Sequence, residues 1–134
     1  MPRRTSQHPT EAELEILNIL WERGPSTVRD VHEALQADRQ TAMTTTLKIM
    51  QTMTEKGLTA RSDTRPHLYS ATAPQEQTQA GLLQSLVERA FGGSVGKLLM
   101  RAVQDGRLSG EELREIQKLI ESAGKSKRRN RSAK

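Results

Sequence analysis

The chain has 134 residues, enough for one compact unit or two small subdomains, and Leu, Ile, Val and Phe make up about a fifth of it, so a monomer core would be thin and dimerisation would extend it. It has no cysteine, which excludes disulfides, thiol catalysis and thiolate metal sites; its start, MPRRTSQHPT, lacks the apolar stretch of a secretory signal, and no apolar run approaches the ~20 residues of a spanning helix, so the expectation is a cytoplasmic protein with no membrane partner. The net charge of +5 is unevenly placed: residues 1–73 carry nine Lys/Arg and nine Asp/Glu, residues 74–123 carry six and seven, and residues 124–134 carry six and none.

The spacing predicts a first helix over residues 10–23, opened by the capping box Thr10/Glu13, with Leu14, Leu17, Leu20 and Trp21 inward and Gly24-Pro25 as the stop. A second helix, about residues 27–36, opens on Thr27/Asp30 and turns Val28, Val31 and Leu35 inward. A third runs from about 40 to 56 and stops at Gly57. At about 100° per residue, Met43, Leu47, Met50, Met53 and Thr54 share one third of its wheel, and Thr41, Thr44, Thr45, Lys48 and Thr52 lie opposite. The methionine stripe reads as core. Residues 58–61 and 67–71 read as strands joined by a turn over 62–66, with His67 and Tyr69 facing opposite to Leu68 and Ser70. An isolated hairpin is marginal, so it must lean on the three helices as a wing.

Pro74 opens a fourth helix that runs to about Ala90; Gly92-Gly93 breaks the chain before a fifth over 94–104. A third capping box, Ser109/Glu112, opens a sixth helix that ends near Ser122. Leu82, Leu86, Phe91, Val95, Leu98, Leu99, Val103, Leu113, Ile116, Leu119 and Ile120 make apolar stripes that outnumber what a short arm can bury against itself, which predicts intertwined pairing of two chains. The basic residues 124–134 read either as a disordered, solubilising end or as an arm that attracts phosphate.

β-Branched threonines lower helix propensity, so an idle third-helix face would be better served by Lys or Glu. A helix presented to a DNA major groove works through side chains near its N-terminal end, here Arg39, Gln40, Thr41, Thr44, Thr45 and Lys48. Arginine grips guanine, glutamine pairs with adenine, threonine reaches phosphates or base edges, and Lys48 suits a phosphate. Arg61 and Arg65 flank the turn and suit phosphate or minor-groove contact, although an exposed turn with a local ion pair to Asp63 is the plainer alternative. His8, His32 and His67 lack a second ligand at metal spacing. The pairs Glu11/Glu13 and Glu111/Glu112 sit in helix first turns, where the dipole accounts for them. No nucleophile–base set, phosphate loop or metal motif can be assembled, so neither an enzyme nor a cofactor is expected.

The pieces PTEAELEILNILWERGPSTVRDVHEAL, MTTTLKIMQTMTEKGLTARSD with LYSATAP, FGGSVGKLLMRAV and LSGEELREIQKLIE, in this order, resemble the penicillinase-repressor family, the BlaI/MecI group of bacterial transcriptional repressors. The resemblance implies an N-terminal winged helix, a C-terminal dimerisation arm, and a homodimer that blocks transcription on a palindromic operator. It carries the family's third-helix contacts onto Thr44, Thr45 and Lys48, with Gln40 and Thr41 before them. It also implies an upstream sensor whose signal leads to cleavage of the fifth helix at an Asn-Phe bond. Arg101-Ala102 stands at that place, and the cysteine-rich copper motif of some relatives is missing. Met43 stands where many relatives carry an aromatic residue.

The expected fold is therefore mostly α with a small β wing: an N-terminal tail (1–9), a winged-helix DNA-binding domain (10–73), a helical dimerisation domain (74–123) and a basic disordered tail (124–134). The expected function is sequence-specific repression by a homodimer. The alternatives are a winged-helix protein-interaction adaptor and a DNA-binding regulator that activates.

Overall fold

The computed structural model describes residues 8–36 and 41–132, with side chains as far as Lys125. Its elements in chain order are α1 (Glu11–Arg23), α2 (Val28–Leu35), α3 (Met43–Lys56), β1 (Thr59–Arg61), β2 (Tyr69–Ala71), α4 (Gln75–Ala90), α5 (Val95–Gln104) and α6 (Gly110–Ser132). The expected class, mostly α with a small antiparallel wing, is what forms. The chain divides into two compact units, one ending at Gln84 and the other beginning at Ser85, so α4 spans the division.

All three capping boxes close. The Thr10 amide donates to Glu13 Oε1 at 2.9 Å while the Glu13 amide donates to Thr10 Oγ1 at 3.2 Å. Thr27 and Asp30 repeat the pattern at 3.2 and 3.0 Å, and Ser109 and Glu112 at 3.0 and 3.1 Å. Each reciprocal cap satisfies two amides that a helix start leaves over, which stabilises it by roughly 1 kcal/mol. At the other end of α3, Gly57 takes φ 83°, a left-handed conformation that costs glycine nothing, and its N–H reaches the Met53 carbonyl.

The core of the first unit is Ile16, Leu17 and Leu20 of α1, Val31 and Leu35 of α2, Met50 and Met53 of α3, and Tyr69 of β2. On α1 the buried face is Glu13, Ile16, Leu17 and Leu20, so Ile16 takes the place expected of Leu14. The wing pairs Thr59 with Ala71, Ala60 with Ser70 and Arg61 with Tyr69. Two strands of three residues would not hold alone. Ser26, just before α2, adds an antiparallel bridge to Tyr69, with N–H···O=C distances of 3.0 and 2.8 Å in the two directions. The Trp21 indole N–H also donates to the Ala73 carbonyl at 3.0 Å, which ties the chain leaving the wing to α1.

In the second unit α6 does not end near Ser122: its helical backbone continues to Ser132, through most of the stretch expected to be disordered. Gly124 does not take a positive φ, so no left-handed stop interrupts the helix. Lysine and arginine are good helix formers, and cations suit a helix C-terminus.

Candidate nucleic-acid interface

The first turn of α3 is built differently from the other caps. The helix begins at Met43 rather than near Gln40, because Ala42 is extended (φ −68°, ψ 146°) and serves as a cap without a side-chain hydrogen bond. Thr41 therefore precedes the helix, and its amide donates to Gln36 Oε1 at 2.9 Å, which ties the end of α2 to the approach to α3. Arg39 and Gln40 lie outside the described residues.

From that start, Thr44, Thr45 and Lys48 project as an exposed face, while Thr52 further along is half-buried. Behind them Met50 and Met53 are 0 % exposed and lock the helix to the body. The rest of the expected methionine stripe is a correction: Met43 is 42 % and Leu47 38 % exposed. The buried face instead runs through Thr46, Met50 and Met53, at spacings of four and three, with Ile49 partly buried beside it. Met43 sits in the first turn, where the core cluster ends, and Leu47 lies at the stripe's edge. Thr46, assigned to neither face from the sequence, is wholly buried, and its Oγ1 shares a 3.0 Å hydrogen bond with Nδ1 of His32 on α2. Its position about 40° from Met50 on the wheel was the signal that could have placed it.

A second unforeseen contact pins the far end of α3. Glu13, read as a first-turn acid answering the helix dipole, is 3 % exposed and receives Lys56 Nζ at 3.0 and 2.9 Å on its two oxygens. Burial pushes its carboxyl up, but the Thr10 amide and the Lys56 ammonium together outweigh burial and hold it below its ordinary 4.5. A depressed folded-state value means that ionised Glu13 stabilises the fold fully above the unfolded value near 4.5, and that this contribution disappears as pH falls through the lower folded value. Glu13→Gln keeps the cap geometry and removes the charge. The expected loss is about 1–2 kcal/mol of unfolding free energy at pH 7, shrinking toward zero once the pH has fallen through the lowered folded-state value, in urea titrations at pH 7 and along an acid series. An equal loss throughout would refute the ionic reading.

The wing tip is organised by its own side chains. The Ser62 N–H donates to the Leu68 carbonyl at 2.8 Å, and the Leu68 N–H donates to Ser62 Oγ at 2.8 Å. His67 Nδ1 lies 2.8 Å from the Ser62 carbonyl, so it carries the ring proton, and Nε2 is left to accept from Arg65 Nη1 at 3.3 Å. Arg61, at the end of β1, and Arg65, in the turn, are both exposed. Among the described residues no ion pair joins either to Asp63. The face thus offers two hydroxyls and an ammonium on one helix and two guanidinium groups on a hairpin, all donors suited to anionic oxygen. Among the described residues no group of three His, Asp or Glu is arranged to hold a metal, and no helix is long and apolar enough to cross a membrane.

The second unit presents a different surface. Val87 is its one buried hydrophobic among the described residues. Of the residues expected to pair two chains there, Leu86, Val95, Val103, Leu113, Leu119 and Ile120 are exposed, while Phe91, Leu98, Leu99 and Ile116 are half-buried. Leu82, on the part of α4 in the first unit, is half-buried. Met100, 57 % exposed on α5, belongs with the exposed residues and was not foreseen.

Comparison with known proteins gives a consistent result. The sequence profile of the penicillinase repressor family matches residues 9–122. The transcriptional regulator BlaI of Mycobacterium tuberculosis, from strains CDC 1551 / Oshkosh and ATCC 25618 / H37Rv, is 34 % identical over 97 residues, which is 70 % of each chain. An uncharacterised 16.5 kDa protein of Latilactobacillus sakei is 28 % identical over 83 % of this chain and 77 % of its own. A penicillinase repressor of Bacillus licheniformis is 20 % identical over 84 % of this chain and 88 % of its own.

Proposed function

The chain belongs to the penicillinase-repressor family, a family of transcriptional repressors and not of enzymes, and on that premise we propose that it acts as a homodimer on a palindromic DNA operator. The observation that carries this reading is α3: Thr44, Thr45 and Lys48 stand exposed at an uncapped helix start, while Met50 and Met53 are sealed behind them. Amides left without side-chain caps at a helix start attract phosphate oxygen, and threonine offers a hydroxyl and a methyl to base edges. Thr41, held beside the end of α2 by its bond to Gln36, adds a hydroxyl next to the face, and Arg39 and Gln40 are included in the reading from sequence alone. Arg61 and Arg65 on the wing supply phosphate or minor-groove contacts.

Dimerisation is supported by the apolar surface of α5 and α6, where Val95, Val103, Leu119 and Ile120 are 53, 48, 68 and 57 % exposed. A two-fold pair of α3 helices reads two half-sites, which makes the operator an inverted repeat. The partners of this reading are duplex DNA, a second copy of the chain and an upstream sensor. Its site of action is the cytoplasm. The bond aligned with the family's cleavage point is Arg101-Ala102, inside α5, where Arg101 reaches Asp105 at 3.7 Å. Release therefore does not depend on an Asn-Phe scission.

The test is selection of bound duplexes from a random pool by the full chain. The expected result is an inverted repeat with half-site centres about 10–10.5 bp apart or a multiple of that spacing. Failure to enrich any sequence over the starting pool would defeat the reading.

A further inference from the structure

The electrostatics of the reading unit do not match its proposed task. Residues 10–73 hold seven Lys/Arg against nine Asp/Glu. Of those cations, Lys56 is already held by Glu13 at 2.9 Å. Duplex binding draws much of its free energy from cations that displace condensed counter-ions. The chain's entire positive excess lies elsewhere, in residues 124–134, which contain six Lys/Arg and no acid.

The helical backbone of α6 runs to Ser132 and carries Lys125, Lys127, Arg128, Arg129 and Arg131 on one continuous helix. At a rise of about 1.5 Å per residue, these five cations give roughly one positive charge per 2 Å of helix axis. Duplex DNA carries one negative charge per about 1.7 Å, so the two densities match closely. After Ile120 the sequence ESAGKSKRRNRSAK contains no Leu, Ile, Val, Met or aromatic residue. A helix that lies on a membrane needs an apolar face, and a protein interface needs buried anchors; this segment has neither.

We propose that the C-terminal end of α6 is a second DNA-contact element that grips backbone phosphates without reading sequence. The inference rests on the DNA-binding reading above. The division of labour is definite: α3 supplies discrimination between sequences, and the α6 end supplies attraction common to all of them.

The experiment compares the full chain, a chain ending at Ala123, and a Lys127→Gln/Arg128→Gln/Arg129→Gln/Arg131→Gln variant that keeps the helix length. Each is titrated onto a random-sequence 30-bp duplex across a salt series. With the five α6 cations each engaging a phosphate, the slope of log K against log salt should flatten by about 4.5 per chain in the truncation, and by about four fifths of that in the Gln variant. The ratio of selected-site to random-site affinity should stay within about twofold, because the lost term is common to both. An unchanged slope overturns the proposal. So does tail-dependent flotation with phosphatidylglycerol vesicles that exceeds tail-dependent duplex binding. Failure of the α3 reading would appear separately, as unchanged selected-site affinity after substitution of Thr44, Thr45 and Lys48, with the tail's effect on the salt slope still measurable.

Discussion

Replacing Thr44, Thr45 and Lys48 together by alanine is expected to weaken binding to a selected operator by roughly 10²–10⁴-fold while leaving the fold as stable or more so. The two halves of this outcome come from different physics. Each lost hydroxyl or ammonium contact costs about 0.5–1 kcal/mol, and a dimer loses six of them, which gives about 3–6 kcal/mol at 1.4 kcal/mol per decade. Stability moves the other way, because all three side chains are exposed and none joins an ion pair or hydrogen bond within the described residues. Alanine is the better helix former by up to ~0.7 kcal/mol per threonine replaced. Thr46 supplies the contrast on the same helix. It is 0 % exposed and bonded to His32, so Thr46→Ala should lower stability by about 1–3 kcal/mol. Fluorescence anisotropy on the selected duplex, paired with thermal melting, reads both quantities. Affinity unchanged in the triple variant would remove α3 from the reading role, and affinity lost in step with stability would make the effect structural.

The contrast between Thr44 and Thr46 also shows what the sequence could and could not disclose. Capping boxes are local, with donor and acceptor three residues apart, so Thr10/Glu13, Thr27/Asp30 and Ser109/Glu112 were readable and all three form. The hairpin was readable from its alternation and turn residues, and the alternation left open which side faces the core: Tyr69 is buried and Leu68 exposed. The contacts that were missed bridge distant parts of the chain. Lys56 meets Glu13 across 43 positions, Trp21 meets Ala73 across 52, and Ser26 joins the wing through a single bridge. No periodicity marks such pairs, since nothing near Glu13 distinguishes a solvated acid from one that a lysine will cover. Helix ends misled for a related reason. The wheel over residues 40–56 assumed a helix three residues too long at its start, and so assigned Met43 a core role that the first turn does not give it. At the other end, a run of like charge suggested disorder, but the absence of a left-handed stop at Gly124 leaves a helix that the good propensities of Lys and Arg sustain.

In the proposed homodimer, a glutamate at both Val103 and Ile120 is expected to separate the two copies at micromolar concentration and to lower operator affinity by 10²–10⁴-fold without touching the winged helix. As a single copy, the second unit leaves Val95, Met100, Val103, Leu119 and Ile120 between 48 and 68 % exposed. Covering those five side chains in each of two copies removes about half of each from water. At ~1.5–3 kcal/mol for a full burial, the gross gain is on the order of 10 kcal/mol, comparable with the cost of association, so a dimer paired through this surface would be broken by a small change. The double variant adds four carboxylates to a surface that must otherwise be desolvated, at several kcal/mol for each unpaired charge. A monomer then binds a half-site alone and loses the high effective concentration that a tethered second α3 enjoys. Sedimentation equilibrium reads the assembly, and operator titrations at rising protein concentration read the affinity. Trp21 lies in the first unit, bonded to Ala73, so its fluorescence should be unchanged if the winged helix is intact. A variant that remains dimeric would place the pairing surface elsewhere. One that becomes monomeric yet binds the full operator as tightly as before would show that two-fold reading of DNA is not what the second unit is for.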